Sequence, residues 1–184
     1  FNAGVHYSKV EMALNGGNGD VTLKNIALCG TDQESMGGVV HDNGTDSWIC
    51  IPRRFPNARL DMFHVNAQGT MPLVSTPIAP RINPGLPIFF HSGKRMAVST
   101  ASPPPVNVYI RIYDFDGTTG VFTNPIELFL PGGSGLWCME VSPDGSKLYL
   151  IRSQQLIQFD LSLTTQAAIQ ASETVIASVP YGFG

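Results

Sequence analysis

Charge is scarce in this chain. Only 14% of its 184 residues are Asp, Glu, Lys or Arg, and the formal net charge is −3. So thin a balance excludes the basic patch or stripe that nucleic acid requires. The nearest approach to one, Arg53-Arg54 with Arg59, reads as a solvated loop. Long apolar runs are missing too. The longest, around 86–90, is broken by Pro87 and ended by His91, far short of the ~18 residues of a membrane span. Residues 1–19 lack the charged start and apolar block of a secretory signal. Cysteine is limited to Cys29, Cys50 and Cys138, none in a CxxC or metal-ligand spacing, so no zinc site is expected. An odd count excludes a complete internal disulfide framework. Cys50 and Cys138 fall in apolar strand patterns that suit buried, inert thiols, and a Cys29–Cys50 bridge is the one pairing weighed.

Glycine and proline are plentiful, at 19 and 14. With 43% hydrophobic residues, they point away from helical bundles and toward many short strands joined by turns, with enough chain to bury a sizeable core. The strand–turn–strand signal is clearest over 141–150, where Ser142-Pro143-Asp144-Gly145 separates two apolar strand patterns. Weaker copies surround Gly44 and Gly93, so the three turn glycines recur at 49 and 52 residues. A second register, an aromatic-polar-apolar strand end, reads Phe63-His64-Val65, Tyr113-Asp114-Phe115 and Phe159-Asp160-Leu161, with Val10-Glu11-Met12 as an earlier candidate. A third is an outer strand at 21–28, 73–78, 123–129 and 174–177. Pro77 and Pro125 in that register suit an outermost strand, because proline cannot donate to a ladder.

Three registers sharing a period near fifty residues define a four-stranded unit, the repeat of a β-propeller blade. The expected fold is all-β, a propeller segment of about three and a half antiparallel blades, WD-like or lactonase-like. Its divisions are a half blade at 1–30, blades at 35–80, 85–131 and 135–179, and the start of a further blade at 180–184. Helix is expected only as a turn or two within 163–172. Three and a half blades do not close a ring, so the residues are expected to be a segment of a longer propeller. A four-bladed ring with irregular closure is the competing reading.

These motifs carry a family resemblance. Leu14-Asn15-Gly16-Gly17-Asn18-Gly19-Asp20-Val21, His41-Asp42-Asn43-Gly44-Thr45-Asp46-Ser47-Trp48, Tyr113-Asp114-Phe115-Asp116, Met139 to Tyr149 and Gln158-Phe159-Asp160-Leu161 stand in the order and spacing of the family's repeats. The chain resembles the propeller repeats of large secreted Bacteroidetes proteins, many of which bear a gliding-motility-associated C-terminal domain and leave by the type IX secretion system. The polyproline-type insert Ser102-Pro103-Pro104-Pro105 departs from that pattern. The resemblance implies a secreted or cell-surface scaffold. Its protein partners would be the remaining blades of the parent chain or secretion and surface proteins, with a glycan as a further candidate.

Residues that invite a chemical reading have plainer accounts. Asp114-Phe115-Asp116-Gly117 has the alternating carboxylates of a calcium loop but lacks its remaining ligands, and reads as a strand end with a turn. His41 with Asp46, and His91, precede tight turns in what read as equivalent registers. A repeated hydrogen bond to a neighbouring hairpin explains them better than base catalysis. No Ser, Cys or carboxylate stands at a spacing that forms a nucleophile–base pair. Trp48, Trp137, Phe89 and Phe90 suit a core between blades better than a ligand groove. Asn15 to Asp20 is Gly-rich, but no helix follows it to hold a phosphate. No catalytic, cofactor-binding or metal residue is assigned. The expected function is a non-enzymatic interaction scaffold; the alternatives are a lactonase-like hydrolase and a lectin-type propeller.

Overall fold

The computed structural model describes residues 4–30, 35–54, 56–69, 72–78, 81, 84–102, 107–131, 136–152 and 154–178. The proline insert beyond Ser102 and the expected blade start at 180–184 lie outside them. So do the side chains of Leu136 and Trp137. The chain divides into two compact units, 1–34 and 35–184.

The first unit is a hairpin of β1 (Val5–Glu11) and β2 (Asp20–Cys29). A 3-10 turn at Asn15–Gly17 joins them, with Asn15, Gly16 and Gly17 all at positive φ. The polar glycine-rich stretch noted in the sequence is therefore a strand connection. Val10, Met12, Val21 and Leu23 are exposed along this hairpin.

The second unit holds three four-stranded antiparallel sheets. The first blade is β3 (Gly37–Val40), β4 (Ser47–Arg53), β5 (Arg59–Val65) and β6 (Leu73–Pro77). The second is β7 (Ile88–Phe90), β8 (Arg95–Ala101), β9 (Val108–Asp116) and β10 (Val121–Leu130). The third is β11 (Leu136–Val141), β12 (Lys147–Arg152), β13 (Gln155–Asp160) and β14 (Thr174–Ser178). In each, the strands pair with their sequence neighbours. The chain is all-β, a partial propeller of four-stranded blades.

The period-2 alternation of the strands feeds two cores. Met96 and Val98 face Trp48, Cys50, Leu60 and Met62 of the first blade. Ala97, between them in sequence, faces the third blade with Ile110, Ile112, Leu148, Leu150, Ile157 and Phe159. One strand thus supplies both of its neighbours, which is why Met96-Ala97-Val98 is apolar without alternation.

The turn chemistry follows from the glycines. Gly44, Gly93 and Gly145 adopt φ of +75°, +83° and +74°. In every case the glycine N–H bonds the carbonyl three residues back: His41, Phe90 and Ser142. The ladder pairs Phe90 with Arg95, and His41 and Ser142 bond Asp46 and Lys147 in the same way. This register corrects two sequence readings by small steps. His41 occupies the last paired position before its turn, whereas His91 is the first residue of its own. His64 is not the counterpart of Asp114 and Asp160. It lies across from Trp48, as Ile112 lies across from Ala97, so Asn66 holds the corresponding place. Asn66 and Asp160 accordingly build the same turn, each accepting the N–H two residues on.

Helix α1 (Gln166–Ala171) sits between β13 and β14, capped by the Thr165 hydroxyl accepting from Ala168 N–H at 3.2 Å. It has a role not read from the sequence. Gln166 accepts the Glu127 N–H at 3.0 Å, and Gln170 accepts the Phe129 N–H at 2.7 Å while donating to the Phe129 carbonyl at 3.1 Å. Four helical residues rise ~6 Å, close to the ~6.7 Å spanned by two strand residues. The i,i+4 glutamines therefore match alternate amides of β10 and cover an otherwise open sheet edge. Another fastening joins the first two blades: Glu127 takes both Arg81 and Arg111, Arg81 stacks 3.5 Å from the Tyr109 ring centre, and Arg111 reaches the Ile78 carbonyl at 2.8 Å.

Candidate functional site

In a four-stranded antiparallel meander, the first–second turn and the third–outer connection lie at the same end. That end of the second unit gathers the residues singled out in the sequence.

Between the first and second blades it is closed. Trp48 is 3% exposed and donates its indole N–H to the Gly117 carbonyl at 2.8 Å. Gly120, at φ +74°, is required beneath it, because an added Cβ would stand 2.7 Å from the indole. His64 stacks on Trp48 and His41, with ring centres 4.9 and 4.7 Å away. His41 Nδ1 accepts the Asn43 N–H at 3.0 Å, which leaves Nε2–H to donate to the Thr118 carbonyl at 3.2 Å. Asp42 takes Lys94 Nζ at 2.6 Å and the Thr118 hydroxyl at 3.2 Å. The Lys94 contact and the Thr118 hydroxyl hold the Asp42 carboxyl below the usual carboxylate range. Asp46 accepts Asn43 Nδ2 and His64 Nε2, both at 2.9 Å, and is lowered likewise, chiefly by Asn43. His41 thus bonds a neighbouring blade as expected. His91 does not follow it; its ring packs against Gly145, 2.6 Å from where a Cβ would stand.

Between the second and third blades the same end opens. Ala97 and Ile112 hold the places of Trp48 and His64 and are too small and apolar to build the clasp. A cleft of about 520 Å³ lies there, lined by Arg95, Asp114, Asn124 and Thr164, with Ile126 and Leu163 as its apolar part. Asp114 is half exposed, 3.5 Å from Arg95 Nε and 2.9 Å from Asn124 Nδ2. Arg95 also lies over the Phe90 ring. The β9–β10 ladder breaks between Thr123 and Ile126, where Asn124 stands at φ +50°. Such a bulge re-aims side chains away from the sheet. The Thr-Asn-Pro sequence at 123–125 is the only signal that could have located it.

The remaining candidates take part in turns and core contacts. Asp116 accepts the Thr118 and Thr119 N–H groups and the Thr119 hydroxyl, which lower its pKa, so the 114–117 stretch is a strand end and turn. Among the described residues no group of three metal-ligating side chains converges. Asp144 accepts the Ser142 hydroxyl at 2.5 Å and the Ser146 N–H at 3.0 Å, which pull it down to about 2. Phe90 is buried, and Phe89 packs edge-on against Phe115. The arginine trio is no plain solvated loop. Arg59 Nε donates to Asp61 Oδ1 at 2.8 Å, Arg53 Nε lies 3.9 Å from Oδ2, and Asp61 is 1% exposed. That carboxylate, which also accepts the Ser75 hydroxyl at 2.6 Å, had no distinguishing sequence signal. Cys50 is a free thiol buried in the core of its own unit, and that burial pushes its pKa far up. Cys138 is exposed rather than buried: it alternates with the buried Met139 and Val141 and shares the outward face of β11 with Glu140.

No family profile and no curated protein sequence matches this chain. Solved structures do. Hydrazine synthase from Kuenenia stuttgartiensis is similar at 14% identity and a TM-score of 0.52, over 80% of this chain and 50% of that one. A Bacteroides fragilis protein provisionally described as a 6-phosphogluconolactonase is similar at 16% identity and a TM-score of 0.51, over 78% of this chain and 38% of that one. The chain therefore spans half or less of either structure. At these identities the likeness concerns the fold alone, and it agrees with the propeller blades described above.

Proposed function

We propose that this chain is a non-catalytic propeller scaffold of a secreted, cell-surface-associated protein, exported by the type IX system and linked to gliding motility. Its binding partners are proteins, either further blades of the parent chain or secretion and surface components. The export route and surface setting rest on the resemblance of its repeats. The scaffold role rests on one observation above others: both ring nitrogens of His41 are engaged, one by a turn and one by the next blade. His64 and Asp46, which together have the form of a base and its orienting carboxylate, are stacked into that same seam. Among the described residues, no hydroxyl or thiol nucleophile bonds His64. The carboxylates Asp42, Asp116 and Asp144 serve turns and blade contacts in the same manner.

The direct test is turnover. The purified chain is assayed on phosphorylated and acyl-homoserine lactones and on aryl esters. The scaffold reading expects no rate above buffer, with His41→Ala and Asp46→Ala lowering stability only. Sustained turnover that either substitution abolishes would refute it. For the surface assignment, the native protein is followed by fractionation in its host. Retention in the cytoplasm of cells with an intact type IX system defeats that part of the proposal.

A further inference from the structure

The cleft between the second and third blades has a donor and acceptor set that the fold does not consume. We infer that it is a binding site for a neutral saccharide. This deepens the scaffold reading above and rests on it, by giving the scaffold a ligand class.

Charge decides against the other small-ligand chemistries. Arg95 and Asp114 face each other at 3.5 Å, so the cleft carries one positive and one negative group and attracts neither an anion nor a cation strongly. A single carboxylate beside a guanidinium is also a poor metal site. Unused hydrogen-bonding capacity remains. Arg95 Nε is buried and makes no hydrogen bond among the described residues, so the capacity Arg95 can offer a ligand lies in the outer nitrogens of its partly exposed guanidinium. Asp114 has further lone pairs beyond the one given to Asn124, and Asn124 keeps its carbonyl and one N–H. Three planar side chains with both donors and acceptors match adjacent hydroxyls of a sugar ring, which offer both in alternation. The exposed Leu163 and the neighbouring Ile126 provide an aliphatic surface for the C–H face of such a ring. The arrangement is fixed in advance: the β10 bulge holds Asn124 in the left-handed region, which asparagine tolerates better than most residues. In the companion seam the corresponding places are filled by the buried Trp48 and the His64 ring packed on it.

The test is amide chemical-shift mapping of the full chain, titrated with methyl glucoside, galactoside and mannoside and with disaccharides of these. The expected result is saturable shifts concentrated at Asn124, Ile126 and 162–164 with at least one sugar. Asn124→Gly, which keeps the positive φ, and Asp114→Asn, which keeps the shape, each weaken binding by about tenfold or more. Melting temperatures are measured alongside, and Asn124→Gly alone suffices if Asp114→Asn does not fold. The inference is overturned if no sugar shifts these amides at up to about 50 mM, a range that reaches weak single-site affinities. It is equally overturned if acetate or sulfate produces the same shifts, or if the variants bind as the parent does. A silent titration without enzymatic turnover removes the saccharide site and leaves the scaffold; turnover removes the scaffold itself.

Discussion

Replacing Trp48 by Phe tests the closed seam most directly. The substitution keeps an aromatic ring but deletes the N–H that the Gly117 carbonyl accepts at 2.8 Å. A buried carbonyl left without its donor costs about 1–3 kcal/mol, and the smaller ring leaves a void worth about 1 kcal/mol more. For a chain of this size each kcal/mol lowers the melting temperature by about 2–4 °C, so the summed loss of about 2–4 kcal/mol predicts a fall of roughly 4–16 °C, with an unchanged urea m-value. Circular dichroism is the suitable readout, since the change leaves Trp137 as the sole indole fluorophore. Gly120 supplies the control. In the parent, Gly120→Ala places a Cβ 2.7–3.0 Å from three indole atoms at a backbone φ of +74°. With Phe at 48 the six-membered ring of the indole is gone and only the backbone cost of roughly 1–2 kcal/mol persists. The double-mutant cycle should therefore show a coupling of about 1 kcal/mol, the double variant being more stable than the sum predicts. Additive effects, or a Trp48→Phe melting shift within about 1 °C of zero, would refute the seam as described.

Three further outcomes follow from the same contacts. Changing Gln166 and Gln170 together to Ala should cost about 1–2 kcal/mol, since water replaces the lost bonds only in part, and should promote concentration-dependent association through the bared β10 edge in size-exclusion runs. Gly145→Ala should destabilise by at least ~1–2 kcal/mol from its left-handed backbone, with part of the loss recovered when His91 is also cut to Ala, measured by urea unfolding. Asp144 and Asp160 have carboxyls pulled from the ordinary 3.8 down to about 2, by the Ser142 hydroxyl and by Lys147 respectively. Folded-state values below unfolded ones stabilise above pH 3.8, and that contribution disappears as pH falls toward 2. Acid titration should show stability falling across that window, less steeply in Asp144→Asn; salt should weaken the Asp160–Lys147 share more than the hydroxyl-based Asp144 share.

Much of the fold was legible because its signals are local. A Gly at positive φ, a Pro restricted to an outer strand and a period-2 alternation are each satisfied within a few residues, and their recurrence near fifty residues sets the blade. The two register slips arose where local likeness competed with ladder geometry. Tyr113-Asp114 and Phe63-His64 look alike, but β9 runs farther past its turn-facing core residues than β5 does. Cys138 was misplaced because the unbroken apolar run from Leu136 to Met139 does not itself say which alternate residues face the core; Met139 and Val141 do, which leaves Cys138 on the outward face.

The strands, the turn positions and the blade repeat were readable along the chain, because each depends on near neighbours. Which of two like seams is shut was not. Trp48 closes one because Gly117 and Gly120, some seventy residues away, provide the carbonyl and the missing Cβ that it needs. Ala97 cannot do so in the next, and the cleft of Arg95, Asp114 and Asn124 remains. Pairings across blades depend on which faces the packing brings together, and no local pattern records that.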